Sequence, residues 1–342
     1  MARTTYAVLV TLTMRYLSTF SGIGGFELGI QQAYESNNEH AHKCEKSEQE
    51  ERTQGRIGSA DFNRVQLHTG DRATPLCIGY SEIDKYATSI YQKHFPTHHN
   101  YGDITKINAK ELPDFNLLVG GFPCQSFSIA GKRGGFEDTR GTMFFELARI
   151  LREKQPRLFV FENVKGLLSH DQGRTFYTII TTLDELGYDS QWQVLNSKNH
   201  GVAQNRERVF IIGNLRGTPR PQVFPFGEGS QNDIDQLNQP THSNDRIYGI
   251  EGIAPTLNTM QGGRRQPKIA PTIRANHHNT ADVHFIPEDS KIRRLTPVEC
   301  ARLQGFPDDW HKIEGISDTQ AYKCYGNAVT VNVIRDIFKH IL

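Results

Sequence analysis

Cys124 is the residue of this sequence with the clearest capacity for chemistry. It follows an apolar run, 117–119, from which two glycines, Phe122 and Pro123 separate it. A short apolar run that ends in glycine predicts a buried strand, and in open α/β sheets ligands bind at the carboxyl ends of the strands. A thiol held at such an edge can act as a nucleophile. Packing as a small buried side chain is the commoner role of a single cysteine and is the alternative here.

Three charged residues could assist such a nucleophile. Glu162 lies near the end of a second apolar run, so its carboxylate is predicted at the same sheet edge. It could act as an acid in a reaction or serve as a structural carboxylate. Arg206 and Arg208 alternate within a segment that we expect to be extended, where alternate side chains project to one side. They could clamp a phosphate or a base carbonyl, or form surface ion pairs.

The neighbouring strand ends suggest an adenosine ligand without phosphates. A glycine turn at 21–25 precedes a helix predicted over 26–34, and Glu27 at the start of that helix would repel a phosphate. Glu82 ends the next strand, where a carboxylate can accept from both hydroxyls of a ribose. Asp103 follows a third strand and could accept from an adenine amino group, or only cap a loop.

Two further segments could contact nucleic acid. Residues 125–140 are rich in Gly, Ser and basic side chains, which suits a loop that closes over a substrate and touches its phosphates. Residues 217–290 contain the tetrapeptide Ile-Ala-Pro-Thr twice and hold a stretch, 253–280, with basic but no acidic side chains. Such a stretch suits a surface that reads DNA, although a plain flexible surface domain is the competing interpretation. The candidate DNA-contacting residues are Ser126, Ser128, Lys132, Arg133, Arg264, Arg265, Lys268 and Arg274.

The totals exclude several classes of protein. The 342 residues carry a net charge of +1, so any nucleic-acid surface must be a local patch. The five cysteines include no Cys-x-x-Cys pair, which argues against a disulfide framework and a zinc site and favours a reducing cytoplasm. We expect no transmembrane helix and no signal peptide. Met14 could be the true start, which would make residues 1–13 an extension.

The predicted organisation is one large α/β domain interrupted by a smaller one. Residues 14–216 would form a catalytic and cofactor-binding domain, with a polar insertion at 35–72 that we expect to be solvated and disordered. Residues 217–290 would form the smaller domain, and 291–342 would return to the first with a C-terminal helix packed on the main sheet.

Taken together, these motifs resemble the DNA (cytosine-5) methyltransferases of bacterial and phage restriction–modification type. The resemblance covers residues 15–216 and 292–342, about three quarters of the chain. The insertion at 35–72 is longer than is usual in that family. Residues 220–290 occupy the place of its variable target-recognition region, so the resemblance does not indicate which DNA sequence is read. The matching segments are FSGIGG at 20–25, SEID at 81–84, GDI at 102–104, GFPCQSFS at 121–128, GTMFF at 141–145, ENV at 162–164, QNRER at 204–208, LTPVEC at 295–300 and GNAV at 326–329.

The resemblance implies a Rossmann-like fold of the AdoMet-dependent methyltransferases, with a mostly parallel seven-stranded sheet and a small irregular target-recognition domain. It implies S-adenosyl-L-methionine (AdoMet) as cofactor, S-adenosyl-L-homocysteine (AdoHcy) as product, and no metal. The partner would be double-stranded DNA, bound by a monomer, and a cognate restriction endonuclease could act on the same site. The cofactor-binding residues would be Phe20, Gly22, Gly24, Glu82, Ile83, Asp103, Ile104, Asn327 and Val329.

The chemistry that the resemblance implies starts at Cys124. Its thiolate would add to C6 of a cytosine flipped out of the duplex, and C5 would then attack the methyl group. Glu162 would hydrogen-bond N3 and the amino group of the base. Arg206 and Arg208 would hold the carbonyl oxygen and adjacent phosphates. Two alternatives remain from the sequence alone: an RNA (tRNA) cytosine-5 methyltransferase with the same chemistry, and a non-catalytic DNA-binding relative.

Overall fold

The structure is a computed structural model. It describes residues 13–53, 74–123, 143–227, 247–249, 254–255, 257, 268–270 and 293–342.

A six-stranded sheet forms the centre of the described residues. Its order is β2-β1-β3-β4-β7-β5. The first four strands are parallel, and β7 runs antiparallel to both β4 and β5. An isolated parallel bridge between Tyr80 and Asn100 continues the sheet beyond β2. The strands of this sheet are β1 (Arg15–Thr19), β2 (Leu76–Ser81), β3 (Leu117–Gly121), β4 (Leu158–Val164), β5 (Tyr188–Asn196) and β7 (Glu207–Leu215), and the short β6 (Gln204–Asn205) lies outside it.

This sheet confirms the predicted α/β class and the mostly parallel arrangement. The described residues supply six strands to this sheet where the resemblance implies seven, because the third strand, predicted just before Asp103, makes only the single bridge at Asn100. β3 and β4 read as near-continuous apolar runs because helices cover both of their faces. Their carboxyl ends, together with those of β1 and β2, meet at one edge of the sheet.

Seven helices surround the sheet in the described residues. The helix α7 has the apolar face predicted for the C-terminal helix, and Val333, Ile334, Ile337 and Phe338 pack with residues of α1 and the sheet. α5 begins with a capping box formed by Thr296 and Glu299. The helices are α1 (Gly25–Thr53), α2 (Lys85–His94), α3 (Met143–Lys154), α4 (Arg174–Glu185), α5 (Pro297–Leu303), α6 (Asp318–Asn327) and α7 (Val331–Ile341).

The length of α1 corrects one prediction. We expected this helix to span 26–34 and the polar residues after it to be disordered, but it continues to Thr53. Residues 35–53 contain no Gly or Pro and many Glu, Gln and Lys, which are good helix formers. Polar composition therefore did not mean absence of structure here. Residues 54–73 of the predicted insertion lie outside the described residues.

The segment after residue 293 packs under the glycine turn that leads into α1. Ile23 of that turn lies in one hydrophobic cluster with Cys300, Trp310 and Tyr325. The C-terminal return to the main domain therefore builds one wall of the sheet edge where a ligand is expected.

Four short strands are described between 247 and 294. They are β8 (Ile247–Gly249), β9 (Ala254–Pro255), β10 (Lys268–Ala270) and β11 (Arg293–Arg294). β10 pairs with β8 and β11, whereas β9 pairs with β6 of the main domain. The two Ile-Ala-Pro-Thr copies thus contribute to different sheets. In the part of the chain that the structure describes, no helix is both long and apolar enough to span a membrane.

Candidate active site

Glu162 and Arg208 form a close pair on adjacent strands. Arg208 Nε lies 2.9 Å from Glu162 Oε1, and both side chains are largely buried. β4 and β7 are antiparallel neighbours, with Val164 opposite Arg208, so the pair is held by the backbone of two strands. The carboxylate is therefore fixed in orientation.

Gly121 makes room for the second oxygen of this carboxylate. It stands opposite Glu162 in the parallel β3–β4 pairing. A Cβ atom added at Gly121 would lie 2.9 Å from Glu162 Oε2, a distance that real Cβ atoms essentially never show. The glycine is needed here so that the carboxylate can occupy the end of β3.

Asn163 holds the turn that leads to Cys124. Its Nδ2 donates to the carbonyl of Phe122 at 2.9 Å, and its Oδ1 accepts from the backbone N–H of Val164 at 2.8 Å. The side chain is buried. Pro123 follows Phe122 and is bonded to Cys124, so Glu162 lies beside the turn from which the cysteine emerges.

Several predicted site residues fall outside the described residues. Lys268 is described only as the first residue of β10. The predicted site residues that lie outside the described part of the chain are Cys124, Ser126, Ser128, Lys132, Arg133, Arg264, Arg265 and Arg274.

Arg206 does not occupy the predicted position. Its side chain is 2% exposed, and its two terminal nitrogens donate to the backbone carbonyls of Leu257, Gly326 and Ala328. Burial is the main cause that lowers the pKa of the guanidinium to about 9; the positive charge of Arg208 contributes to this lowering, and Glu162 acts in the opposite direction. Alternation along the chain left open whether this arginine lies at the surface or inside the protein. The side chain is buried, and the N–H groups of its guanidinium donate to the protein's own backbone.

Glu82 and the glycine turn are in direct contact. Gly22 N donates to Glu82 Oε2 at 2.9 Å, while the backbone N–H groups of Ile83 and Asp84 donate to Oε1 at 2.8 and 2.7 Å. These three bonds leave about one of the four lone pairs of the carboxylate available. The side chain is thus oriented by backbone donors at the end of β2, with acceptor capacity remaining.

The glycine turn contains left-handed backbone conformations, which glycine adopts without a steric penalty. Gly22 and Gly24 have φ values of 56° and 91°, and Phe20 before them has a φ of 51°. A Cβ atom at Gly24 would lie 2.6 Å from the ring of Phe95, whereas one at Gly22 would meet nothing within 4 Å. Gly24 is therefore required for packing, and Gly22 borders open space.

The remaining predicted cofactor residues surround this turn in different ways. Ile83 is 77% exposed, which is unusual for an isoleucine. Asp103 caps a short turn by accepting from the backbone and the hydroxyl of Thr105. Ile104 is buried in the core. Asn327 is exposed at the end of α6, and Val329 packs against Gly25, where a Cβ atom would lie 2.8 Å from it.

Asn100 is a residue that the sequence analysis missed. Its Oδ1 accepts from the backbone N–H groups of Glu82 and Gly102 at 3.3 and 2.8 Å, and its Nδ2 donates to the Glu82 carbonyl at 3.1 Å. It thereby joins the end of β2 to the turn that carries Asp103. The only local signal is an asparagine two residues before a glycine, which is typical of many turns.

Trp310 is a second residue that was missed. Its Nε1 donates to the carbonyl of Ile23 at 2.8 Å, inside the glycine turn. Its ring stacks on His94 of α2 with centroids 3.5 Å apart. Trp310 thus supports the glycine turn through this hydrogen bond. No cluster of His, Cys, Asp or Glu that could hold a metal ion is found in the described ranges.

The sequence matches one protein family over most of its length. The model of the C-5 cytosine-specific DNA methylases matches residues 68–252 and 225–342. Among curated proteins, the chain is 41% identical over 312 residues to the type II methyltransferase M1.ScrFI of Lactococcus lactis subsp. cremoris, covering 83% of this chain and 79% of that protein. It is 34% identical over 341 residues to the type II methyltransferase M.NlaX of Neisseria lactamica, covering 94% of each chain.

Solved structures agree on the fold. The Entamoeba histolytica methyltransferase EhMeth superposes with a TM-score of 0.63 at 18% identity, covering 96% of this chain and 98% of its own. A putative DNA modification methyltransferase of an Escherichia coli prophage gives a TM-score of 0.59 at 18% identity, with the same coverage. The family match, the curated relatives and the methyltransferase fold agree. This chain belongs to the C-5 cytosine-specific DNA methylases and is a DNA (cytosine-5) methyltransferase.

Proposed function

We propose that this enzyme transfers a methyl group from AdoMet to C5 of a flipped-out cytosine within one duplex DNA sequence, through a covalent bond between Cys124 and C6. The observation that carries the proposal is the Glu162–Arg208 pair, held 2.9 Å apart beside the turn that ends in Pro123. A carboxyl group and a guanidinium side by side can bind the polar edge of a cytosine while the adjacent thiol reaches its ring.

The residues around the glycine turn fit AdoMet. Glu82 has acceptor capacity left for a ribose hydroxyl, Ile83 offers an exposed apolar surface to an adenine, and Gly22 borders open space. The second carboxylate oxygen of Asp103 lies 3.8 Å from Lys106 Nζ in an exposed ion pair and can still accept from an amino group. We assign Phe20, Gly24, Ile104, Asn327 and Val329 to the walls of this site. When bound, AdoMet supplies an electrophilic methyl group on a sulfonium.

The chain's own residues would prepare the cytosine. The Cys124 thiolate forms a bond to C6, and the electron pair of the C5–C6 double bond shifts so that C5 becomes nucleophilic. Glu162 donates a proton to N3 through one oxygen and accepts from the amino group through the other. Arg208 holds the carbonyl oxygen of the base and keeps Glu162 in place. After C5 has gained the methyl group, a base removes the C5 proton, the thiolate leaves C6, and N3 returns its proton to Glu162, which restores the ring.

The target base must leave the duplex for this reaction, at a cost of a few kcal/mol. The segment 125–140 would close behind the flipped base, and the region 217–290 would read the surrounding sequence. Because the curated relatives are type II methyltransferases, we assign this enzyme to a restriction–modification system. It would protect host DNA from an endonuclease that cuts the same site, and it would act as a monomer.

Bisulfite sequencing tests this proposal. The chain is expressed in bacteria that lack cytosine methylation, and both plasmid DNA and total tRNA are sequenced. We expect 5-methylcytosine at one short DNA sequence, and none with Cys124→Ser. Methylation confined to tRNA, or no methylation with a folded wild-type protein, would contradict the proposal.

Trp310 provides a separate prediction about the cofactor site. Trp310→Phe keeps the stacked ring but removes the donor to the Ile23 carbonyl, so the glycine turn loses a fixed buried contact. We expect the AdoMet dissociation constant, measured by calorimetry without DNA, to rise about 5- to 10-fold, because a lost hydrogen bond is worth about 1 kcal/mol.

The matched control is Tyr322→Phe, which removes a donor to the Leu295 carbonyl in the same C-terminal segment but away from the turn. Its AdoMet affinity should equal that of the wild type. Equal affinities for all three proteins would show that Trp310 does not support the cofactor site.

A further inference from the structure

The side chains of Gln204 and Arg206 enclose the backbone of one residue, Leu257. We propose that these two side chains, here called the Gln204–Arg206 clasp, are positioning residues that hold the recognition region against the cofactor site and thereby set sequence discrimination. This inference rests on the proposed function, because it assumes that 217–290 reads DNA.

The clasp bonds both polar groups of the Leu257 backbone. Leu257 N donates to Gln204 Oε1 at 3.3 Å, and Arg206 Nη1 donates to the Leu257 carbonyl at 3.1 Å. The parallel pairing of β6 with β9, Gln204 opposite Ala254, brings the two chains together just before this point. The Leu257 side chain is 1% exposed and packs in the cluster under the glycine turn. One residue of the recognition region is therefore fixed at its backbone and at its side chain.

The two members of the clasp are anchored at different places. Gln204 Nε2 donates to the carbonyl of Leu303, at the end of α5. Arg206 Nη2 donates to the carbonyls of Gly326 and Ala328 at 3.2 and 2.9 Å. Those two residues flank Asn327, which we assign to the cofactor site. The guanidinium thus connects the recognition region to the cofactor wall, whereas the Gln204 amide connects it only to α5.

A positioning role explains why a charge is buried here without a carboxylate bound to it. A buried charge costs stability unless good hydrogen bonds offset the loss of water. Arg206 contacts neutral carbonyls, and its Nε has no partner among the described residues. What the guanidinium offers is a planar, rigid set of donors that fixes several acceptors relative to one another. It therefore defines the geometry between two parts of the protein.

The experiment compares Arg206→Met with Gln204→Leu in the full-length enzyme. AdoMet binding is measured by calorimetry without DNA. Discrimination is the dissociation constant for a duplex that lacks the target sequence divided by that for a duplex that contains it. Both constants are measured by fluorescence anisotropy in the presence of AdoHcy. We expect both variants to lower this ratio about 10-fold. Only Arg206→Met should also raise the AdoMet dissociation constant, by about 10-fold, because only Arg206 touches Gly326 and Ala328.

The matched control is Arg216→Met at the opposite end of β7. Arg216 also donates to a backbone carbonyl, that of Asp184, at 3.1 Å. Its replacement should leave both the discrimination ratio and the AdoMet dissociation constant unchanged. Thermal unfolding establishes that each variant is folded. If Arg206→Met does not fold, Arg206→Lys replaces it, since lysine keeps the charge but not the fork of donors, and it should change both quantities in the same direction.

Two results would overturn the clasp. One is a discrimination ratio within twofold of the wild type for the folded Arg206 variant. The other is an AdoMet dissociation constant raised equally by Gln204→Leu and by the Arg206 variant. A wild-type protein that methylates no DNA would refute the proposed function instead, and the AdoMet comparison would still decide whether Arg206 supports the cofactor wall.

Discussion

Glu162→Gln is expected to slow methyl transfer by about 10²- to 10³-fold, the loss typical of removing one group that stabilises charge developing in a transition state. A glutamine keeps the shape of the side chain and can still contact Arg208. It cannot donate a proton to N3 as the thiolate adds to C6, so the charge that develops on the ring is left unstabilised. Single-turnover kinetics on an unmethylated duplex that contains the target sequence measure the effect, since they report the rate of the chemical step.

The binding of DNA should change little in this variant, because the loss concerns the transition state. Glu146→Gln is the matched control: Glu146 also lies 2.9 Å from an arginine, Arg149, but on α3. Its methylation rate should stay close to that of the wild type. A Glu162→Gln enzyme that methylates within threefold of the wild-type rate would show that Glu162 is a structural carboxylate.

Glu27→Gln is expected to stabilise the protein above neutral pH. Glu27 is fully buried in the first turn of α1, where Tyr91 donates to its Oε1 at 3.0 Å. Loss of water raises the pKa of this carboxyl from its usual value near 4.5 to about 7, and the hydroxyls of Ser18 and Tyr91 offset the rise only in part. The fold therefore favours the protonated form.

The direction of the pH dependence follows from the two pKa values. Between about pH 4.5 and pH 7 the folded state binds more protons at Glu27 than the unfolded state, so the free energy of unfolding falls as the pH rises. Above pH 7 the loss is complete. It amounts to about 3 kcal/mol, because each unit of pKa difference between the folded and unfolded states corresponds to about 1.4 kcal/mol. A glutamine does not titrate, so the free energy of unfolding of the Glu27→Gln protein should not fall in this way as the pH rises.

Urea denaturation at pH 5 and pH 8.5 tests the prediction. The stability advantage of Glu27→Gln over the wild type should grow by about 2 to 3 kcal/mol between these two pH values. Neighbouring Tyr16, Cys77 and Tyr91 have pKa values raised by burial, so they stay neutral over this range. His98, which contacts Tyr91, titrates in both proteins, and its contribution cancels in the difference.

The exposed Glu35 on the same helix is the control, and Glu35→Gln should show the pH dependence of the wild type. An advantage of Glu27→Gln that is equal at pH 5 and pH 8.5 would mean that Glu27 is ionised in the fold at both pH values.

The sequence predicted the parts of the site that depend on local patterns. Glu162 was placed at a strand end because an apolar run precedes it, and Glu82 for the same reason; both lie where expected. Gly22 and Glu82 were both expected at one ligand site because their strands end at the same edge of the sheet, and the structure places them in hydrogen-bond contact. These inferences need only the period of a strand and the topology of an α/β sheet.

What could not be predicted depends on partners distant in the chain. Trp310 and Ile23 are 287 residues apart, and nothing near either residue indicates their hydrogen bond. Arg206 was assigned to the substrate because it alternates with Arg208 in a predicted extended segment and belongs to the QNRER motif that carries the resemblance. Its acceptors are backbone carbonyls 51 to 122 residues away, which have no sequence signature.

The central claim is a covalent bond between Cys124 and the target cytosine, and a duplex with 5-fluorocytosine at the methylated position tests it most directly. After the thiolate has added to C6 and C5 has gained the methyl group, release requires loss of a proton from C5. Fluorine cannot leave in that way, so the bond between sulfur and carbon persists.

With AdoMet present, we expect a complex that survives denaturation and whose mass equals protein plus DNA plus one methyl group. Peptide mapping should place the DNA on Cys124, and Cys124→Ser should give no complex. A wild-type enzyme that methylates the ordinary duplex but forms no such complex with the fluorinated one, or a complex that also forms with Cys124→Ser, would contradict the mechanism.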